Sequence, residues 1–156
     1  MNQYDKKIAE LGLQLPEPKA PVANFVPYTV AGNFLYVSGQ IPFENGRPAF
    51  VGKLGREFDV EAGRKAAHTC ALHVLGVVRQ ACRGDLGKVV RCIRLGGFIN
   101  SMPEFTDQPQ VMNGASDLIV SVFGDSGRHA RAAVGVNALP AGVAVEVDAI
   151  FEIVST

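Results

Sequence analysis

The 156-residue chain has no tryptophan, no net charge and no long apolar run. Fifteen basic residues stand against fifteen acidic ones. That balance removes the broad positive field with which a nucleic-acid binder collects phosphates, so nucleic acid is disfavoured as a partner. A bilayer-crossing helix needs ~20 consecutive apolar residues, and none is found, so no membrane partner is expected. The opening segment MNQYDKKIAELGLQLP mixes charges with isolated apolar residues and carries no apolar h-region, which argues against a secretory leader. Cysteine is scarce: Cys70, Cys82 and Cys92 are odd in number and show no CxxC spacing. A disulfide framework is thereby excluded, and a reducing, cytoplasmic setting with packed thiols is expected. His68 and His73 lie five apart on a helical segment and face different ways. Cys70 shares a face with His73, but two ligands without a third make no metal site. No GxGxxG, P-loop or GxSxG motif occurs, which sets aside the common nucleotide, kinase and hydrolase signatures.

Apolar residues make up 47% of the chain, enough for one core, and a single domain spanning residues 1–156 is expected. Residues 4–15 suggest a short helix with Ile8, Leu11 and Leu15 on one side, and Pro16, Pro18 and Pro21 end it. Two strand-like runs, 25–30 and 33–38, flank Gly32 and predict a hairpin; Asn45-Gly46 predicts another turn. The clearest helix is 60–82, where Ala62, Ala66, Cys70, Val74, Val77 and Ala81 form an apolar stripe, with Asp59 placed to cap it and Gly84 to stop it. Residues 88–99 read as a strand, whose Gly96-Gly97 suggests a bulge or a close approach of backbone or ligand. A second helix is expected over 107–122. Residues 131–139 and 143–154 flank Pro140-Ala141-Gly142 and predict a closing hairpin, one face of its last strand apolar and the other bearing Glu146, Asp148 and Glu152. The order predicts an α+β fold, a mixed sheet with two helices on one face, and subunit association through the other face.

Arg131 is the leading candidate for chemistry. It opens a strand directly after the polar loop Gly124-Asp-Ser-Gly-Arg-His-Ala, where a guanidinium can offer a two-pronged fork to a carboxylate. An ion pair with Glu146 or Asp148 is the plainer alternative. If the closing hairpin forms, Glu146 lies near Arg131 on one face, where it either orients a water or balances the arginine. His129, in the loop before Arg131, is a further candidate. The three cysteines read as core residues rather than nucleophiles.

Three segments carry a family resemblance: Val37-Ser-Gly-Gln-Ile-Pro42, the run from Arg131 to Pro140, and Val145-Glu-Val-Asp-Ala149. They resemble the SGQ[IV]P, R-x-x-V-x-V-x-x-L-P and [VI]-E-[IV]-[ED]-A signatures of the Rid superfamily, also called YjgF, endoribonuclease L-PSP or translation inhibitor. The match runs from about Phe25 to Val154. The resemblance implies a chorismate-mutase-like subunit and a homotrimer with a central barrel and intersubunit clefts. It also implies hydrolytic deamination of 2-imino or enamine acids to 2-keto acids and ammonia, with no metal and no bound cofactor. By the same resemblance Arg131 clamps the substrate carboxylate and Glu146 attends the hydrolytic water. Tyr28, Ser38 and Asn113 line the cleft. The chain departs from the best-known branch, which carries cysteine where this chain has Ala133. It also adds an N-terminal extension over residues 1–21 and an insertion around 50–58, marks of a divergent branch. A non-catalytic trimer that binds or senses a small carboxylate is the alternative function, and a ribonuclease the third.

Overall fold

The computed structural model describes residues 1–155. Helix α1 (Gln3–Glu10) is capped by Asn2, whose Oδ1 accepts from the amides of Tyr4 and Asp5, each at 2.9 Å. The sequence predicts this helix to Leu15, but it stops at Glu10, because Gly12 turns the chain with a φ of 67°. Leu11 is left exposed, whereas Ile8 and Leu15 reach the core. Strands β1 (Tyr28–Ala31) and β2 (Phe34–Gln40) form the expected hairpin. A small hairpin, β3 (Phe43–Glu44) with β4 (Arg47–Pro48), turns at Asn45-Gly46. Helix α2 (Val60–Ala81) follows its predicted bounds, and Asp59 Oδ1 accepts from the Ala62 amide at 2.9 Å. Strand β5 (Val89–Asn100), helix α3 (Gln108–Phe123), strand β6 (Ala130–Val136) and strand β7 (Val145–Ile153) complete the chain.

The five-stranded sheet runs β1-β2-β7-β5-β6, with β5 and β6 parallel and the other pairs antiparallel. Helices α2 and α3 cover one face, so the expected α+β mixed sheet with helices on a single side is what forms. Leu35, Leu95, Ile99, Met112, Ile119 and Phe151 are fully buried between sheet and helices. Strand β7 alternates strictly: Val145, Val147, Ala149, Phe151 and Ile153 are buried, while Glu146, Asp148, Ile150 and Glu152 face the uncovered side.

Two sequence expectations are corrected. The closing hairpin does not form, because β5 lies between β6 and β7. A β5–α3–β6 crossover lays β6 parallel along one flank of β5, and β7 takes the antiparallel slot on the other flank. The connecting segment then passes across the end of β5: the Asn100 amide donates to Ala144 O at 2.9 Å, and Ala144 N donates to Phe50 O at 2.8 Å. Gly96 and Gly97 stay in register with both neighbours, so they form no bulge. The register shifts of β5 lie nearer its start, at Val89/Arg91 and Cys92/Arg94. Gly97 instead leaves room for the Met112 side chain of α3.

Gly114 lies where α3 crosses α2, and a methyl there would press on the Arg64 carbonyl oxygen. Alanine for glycine in a free helix gains about 1 kcal/mol. Here Gly114→Ala is expected to lose about 1–3 kcal/mol through overpacking. Urea unfolding checks the sign; a raised midpoint would rule out this close helix crossing.

Candidate functional site

Arg131 registers with Leu95 on β5, and Leu95 with Ala149 on β7, both buried beneath the helices. Its side chain therefore rises from the helix-covered face at the sheet edge and meets α3. Nη1 donates to Asn113 Oδ1 at 2.8 Å and to Ser116 Oγ at 3.2 Å; Nη2 donates to the Pro109 carbonyl at 3.3 Å. Asn113 and Ser116 stand three apart on α3 and so present one face to the strand. A guanidinium carries five N–H donors. The Nε hydrogen and one on Nη2 have no acceptor among the described residues, and no carboxylate lies within 4.0 Å of the group.

His129 extends this cluster. Its Nδ1 lies 2.6 Å from Gly127 O, and its Nε2 lies 2.8 Å from Ser116 Oγ. Burial lowers the imidazole pKa, the Gly127 hydrogen bond opposes that, and the Arg131 charge lowers it further. The neutral form of the ring is thereby favoured.

Glu146 does not join them. It registers with Phe98 on β5, and Phe98 with Val134 on β6, so it points from the uncovered face. Two strand spacings and a three-residue offset place the Cα atoms of Arg131 and Glu146 about 14 Å apart, on opposite faces of the sheet. The expected proximity of the pair within one subunit fails with the hairpin that implied it. Glu146 instead lies against Gly39, where even a methyl would collide with its carboxylate. Burial pushes its pKa above the ordinary carboxylate range, and neighbouring Asp148 adds to that. Asp148 itself pairs with Arg94 at 3.6 Å; no such partner serves Glu146 among the described residues.

Ser38 lies on Glu146's side of the sheet, whereas Tyr28, opposite buried Val37, faces the helix-covered side and packs against the core. Tyr28 pairs with Val37, and Ser38 Oγ donates to Val26 O at 2.7 Å. The β2 strand is irregular between Val37 and Gln40, where it passes Glu146. A cavity of about 460 Å³ lies beside this irregularity, between the N-terminal segment and the end of β2, lined by Phe25, Pro27, Ser38, Gly39, Gln40 and Phe43 among others. A larger groove of about 740 Å³ lies on the outer side of α2 and α3 beside Arg64, His68 and Asp117, away from Arg131. The candidates thus fall apart: Arg131, Asn113, Ser116 and His129 cluster at the β6 edge, Glu146 and Ser38 lie toward the β1–β2 end on the uncovered face, and Tyr28 stands at that end on the helix-covered face.

The sequence singles out each of these residues except Ser116, and Gly39 only as part of the Val37–Pro42 motif. Ser116 carried a usable signal, its three-residue spacing from Asn113 on a predicted helix. The cysteines are buried: the thiol pKa of Cys82 is pushed up to about 11 and that of Cys92 to about 12, and Cys70 is raised as well, all chiefly by burial. His73 Nε2 donates to Phe43 O at 2.9 Å while His68 lines the outer groove. No cluster of three metal-ligating side chains occurs among the described residues, and none of their helices is long and apolar enough to cross a membrane.

Residues 5–151 match the family model described as "YjgF/chorismate_mutase-like, putative endoribonuclease". The chain is 50% identical over 147 residues to protein TCP17 of Trypanosoma cruzi, covering 94% of this chain and 91% of that protein. The crystal structure of Atu1372 from Agrobacterium tumefaciens is similar at 49% identity and a TM-score of 0.90, over 97% of this chain and 94% of that one. RidA from an Antarctic Psychrobacter shares 25% identity and a TM-score of 0.59, over 90% of this chain and 97% of that one.

The His129 environment sets an observable titration. Imidazole NMR is expected to give a midpoint below 6.5, moving upward in Arg131→Ala as the neighbouring charge is removed. Because the folded pKa lies below the unfolded one, His129 contributes a loss of stability as pH falls through 6.5, and His129→Gln removes that component. A midpoint at or above 6.5 would contradict the buried, neutral ring.

Proposed function

The chain belongs to the YjgF/chorismate mutase-like, or Rid, family, and on that premise we propose that it is a hydrolytic deaminase of 2-imino and enamine acids. The observation that carries this reading is the Arg131 guanidinium: half-buried, held by three neutral oxygens, without an acidic partner among the described residues, and with two donors to spare. Such a group is suited to a carboxylate, which accepts a two-pronged fork. The reaction is R–C(=NH)–COO⁻ + H2O → R–CO–COO⁻ + NH3. The imine carbon is already electrophilic, so holding the carboxylate and placing one water supplies most of what is needed. Water attacks carbon, the C–N bond breaks, and both water hydrogens end on the departing nitrogen. Glu146, with its raised pKa, takes a proton from the water and returns it to nitrogen. Tyr28 and Ser38 flank the reacting carbon, while Asn113 and His129 keep the arginine end in place. No metal or cofactor is called for.

The distance between Arg131 and Glu146 makes the proposed site a shared one. The β6 edge of one subunit faces the β1–β2 end of the next, a head-to-tail contact that closes into a ring, here a homotrimer. Exposed Phe34, Tyr36 and Val134 on the uncovered sheet face supply apolar area for it.

A coupled assay tests the reading. An amino-acid oxidase generates imino acid in situ, and semicarbazide trapping reports what remains. Arg131→Ala is expected to lose about 10- to 100-fold in kcat/KM, as for charge-assisted hydrogen bonds. Arg131→Ala and Glu146→Gln subunits, each strongly impaired alone, are expected to rise to about one quarter of wild-type activity when mixed, since that share of interfaces pairs two intact halves. Imine loss no faster than in buffer would leave a carboxylate-binding protein. Absence of recovery on mixing, with subunit exchange verified by native mass spectrometry, would remove Glu146 from the site.

A further inference from the structure

The proposed carboxylate fork is held by a chain of hydrogen bonds in which every hydrogen has one direction. Gly127 O can only accept, so His129 Nδ1 carries the ring proton across their 2.6 Å contact. Nε2 of the neutral ring then offers a lone pair. Ser116 has a single hydroxyl hydrogen, and it goes to Nε2 at 2.8 Å. The Ser116 oxygen thereby keeps its lone pairs for Arg131 Nη1 at 3.2 Å, beside Asn113 Oδ1 at 2.8 Å. Nη1 is tied at both positions, Nη2 is tied to Pro109 O in the first turn of α3, and the Nε side is left to a ligand.

We propose that Ser116 and His129 are positioning residues for Arg131: the Gly127 carbonyl fixes the His129 tautomer, the tautomer fixes the Ser116 hydroxyl, and the hydroxyl fixes the guanidinium. This deepens the carboxylate reading of Arg131 and rests on it. Without an acceptor at Nε2, the Ser116 hydroxyl hydrogen is free to swing toward the guanidinium, where it repels rather than holds. The charged groups on the surrounding elements do not compete. Asp117 on α3 faces Arg64 at 3.5 Å, Arg128 in the loop faces Asp125 at 3.3 Å, and Arg131 is the charge that acts on the ring. Gly127 is buried with its Cα toward the Ile119 carbonyl, and any side chain there would push this turn off α3. The turn that carries the fixed carbonyl is thus seated by the same helix that carries Ser116.

The test measures binding of 2-oxobutanoate to the full chain by calorimetry. Ser116→Ala and His129→Leu are each expected to weaken it about 3- to 10-fold, and the double variant no more than the weaker single, because the two act in series. Ser116→Thr, which keeps the hydroxyl, and His129→Gln, which offers an amide oxygen near Nε2, are expected to stay within about twofold of wild type. Additive losses, or no rescue by the conservative pair, would overturn the series. Nitrogen NMR of the wild type gives an answer that needs no variant: the Nδ1–H tautomer supports the proposal, and Nε2–H overturns it. If Arg131→Ala binds as well as wild type, the carboxylate reading itself falls. If Arg131→Ala loses binding while Ser116→Ala and His129→Leu keep it, only the positioning role falls.

Discussion

The placement of β7 between β2 and β5 is the constraint from which the rest of the molecule follows. Its five inward side chains, Val145 to Ile153, are buried against the helices, and both of its edges are paired. Getting the chain there from β6 requires a passage across the end of β5, and that passage is held by an isolated antiparallel bridge of Val51 with Val143 together with side-chain hydrogen bonds. Asn100, almost fully buried, donates through Nδ2 to Val143 O at 3.1 Å and to Gly52 O at 3.3 Å, and accepts from Lys53 Nζ at 2.7 Å. Lys53 also donates to Asn137 O at 2.5 Å. A buried amide of this kind has a high cost if left unpaired, so the hub fixes one crossing geometry. The segment around residues 50–58 is half of that clamp.

The same strand order governs the charges. With β5 and β7 filling the middle of the sheet, Arg131 is carried to one edge and Glu146 to the other face. Each is left in a setting it would not keep as an ion pair. Arg131 is met by neutral oxygens alone, and Glu146 is half-buried next to another carboxylate. Both fit the proposed site, in which a ligand and a second copy of the chain complete them. Polar groups that are underused by their own fold are where binding energy remains available.

The N-terminal segment has a packing role that its composition only hinted at. Asn2 donates to Asp85 Oδ1 at 2.7 Å, Tyr4 packs edge-on against Phe123 at 4.8 Å between ring centres, and Pro16 presses its carbonyl to Gly76 of α2. From there the proline-bearing stretch passes over the end of β2 and roofs the cavity beside Ser38. The segment therefore ties the far ends of α2 and α3 to the neighbourhood of the proposed water-placing cluster.

Local chemistry was legible in the sequence wherever one residue type has one local use. The apolar stripe of α2 with its Asp59 cap, the Asn45-Gly46 turn, the alternation of β7 and the helix bearing Asn113 could all be read from period and capping, because those signals act within a turn or two of chain. The individual residues Arg131, Glu146, His129, Tyr28 and Ser38 were visible by type and by family resemblance. Which of them meet was not. Pro140-Ala141-Gly142 reverses the chain in either topology, so it could not tell a hairpin from a strand that skips across its neighbour. That choice rests on the parallel crossover through α3 and on Asn100 and Lys53, partners drawn from three distant segments. The sequence by itself determined the elements, their buried faces and the chemical character of the candidate groups. Only the tertiary structure decided that Arg131 and Glu146 stand on opposite faces of one sheet, because strand order is set by long-range pairing and burial, to which no local spacing responds.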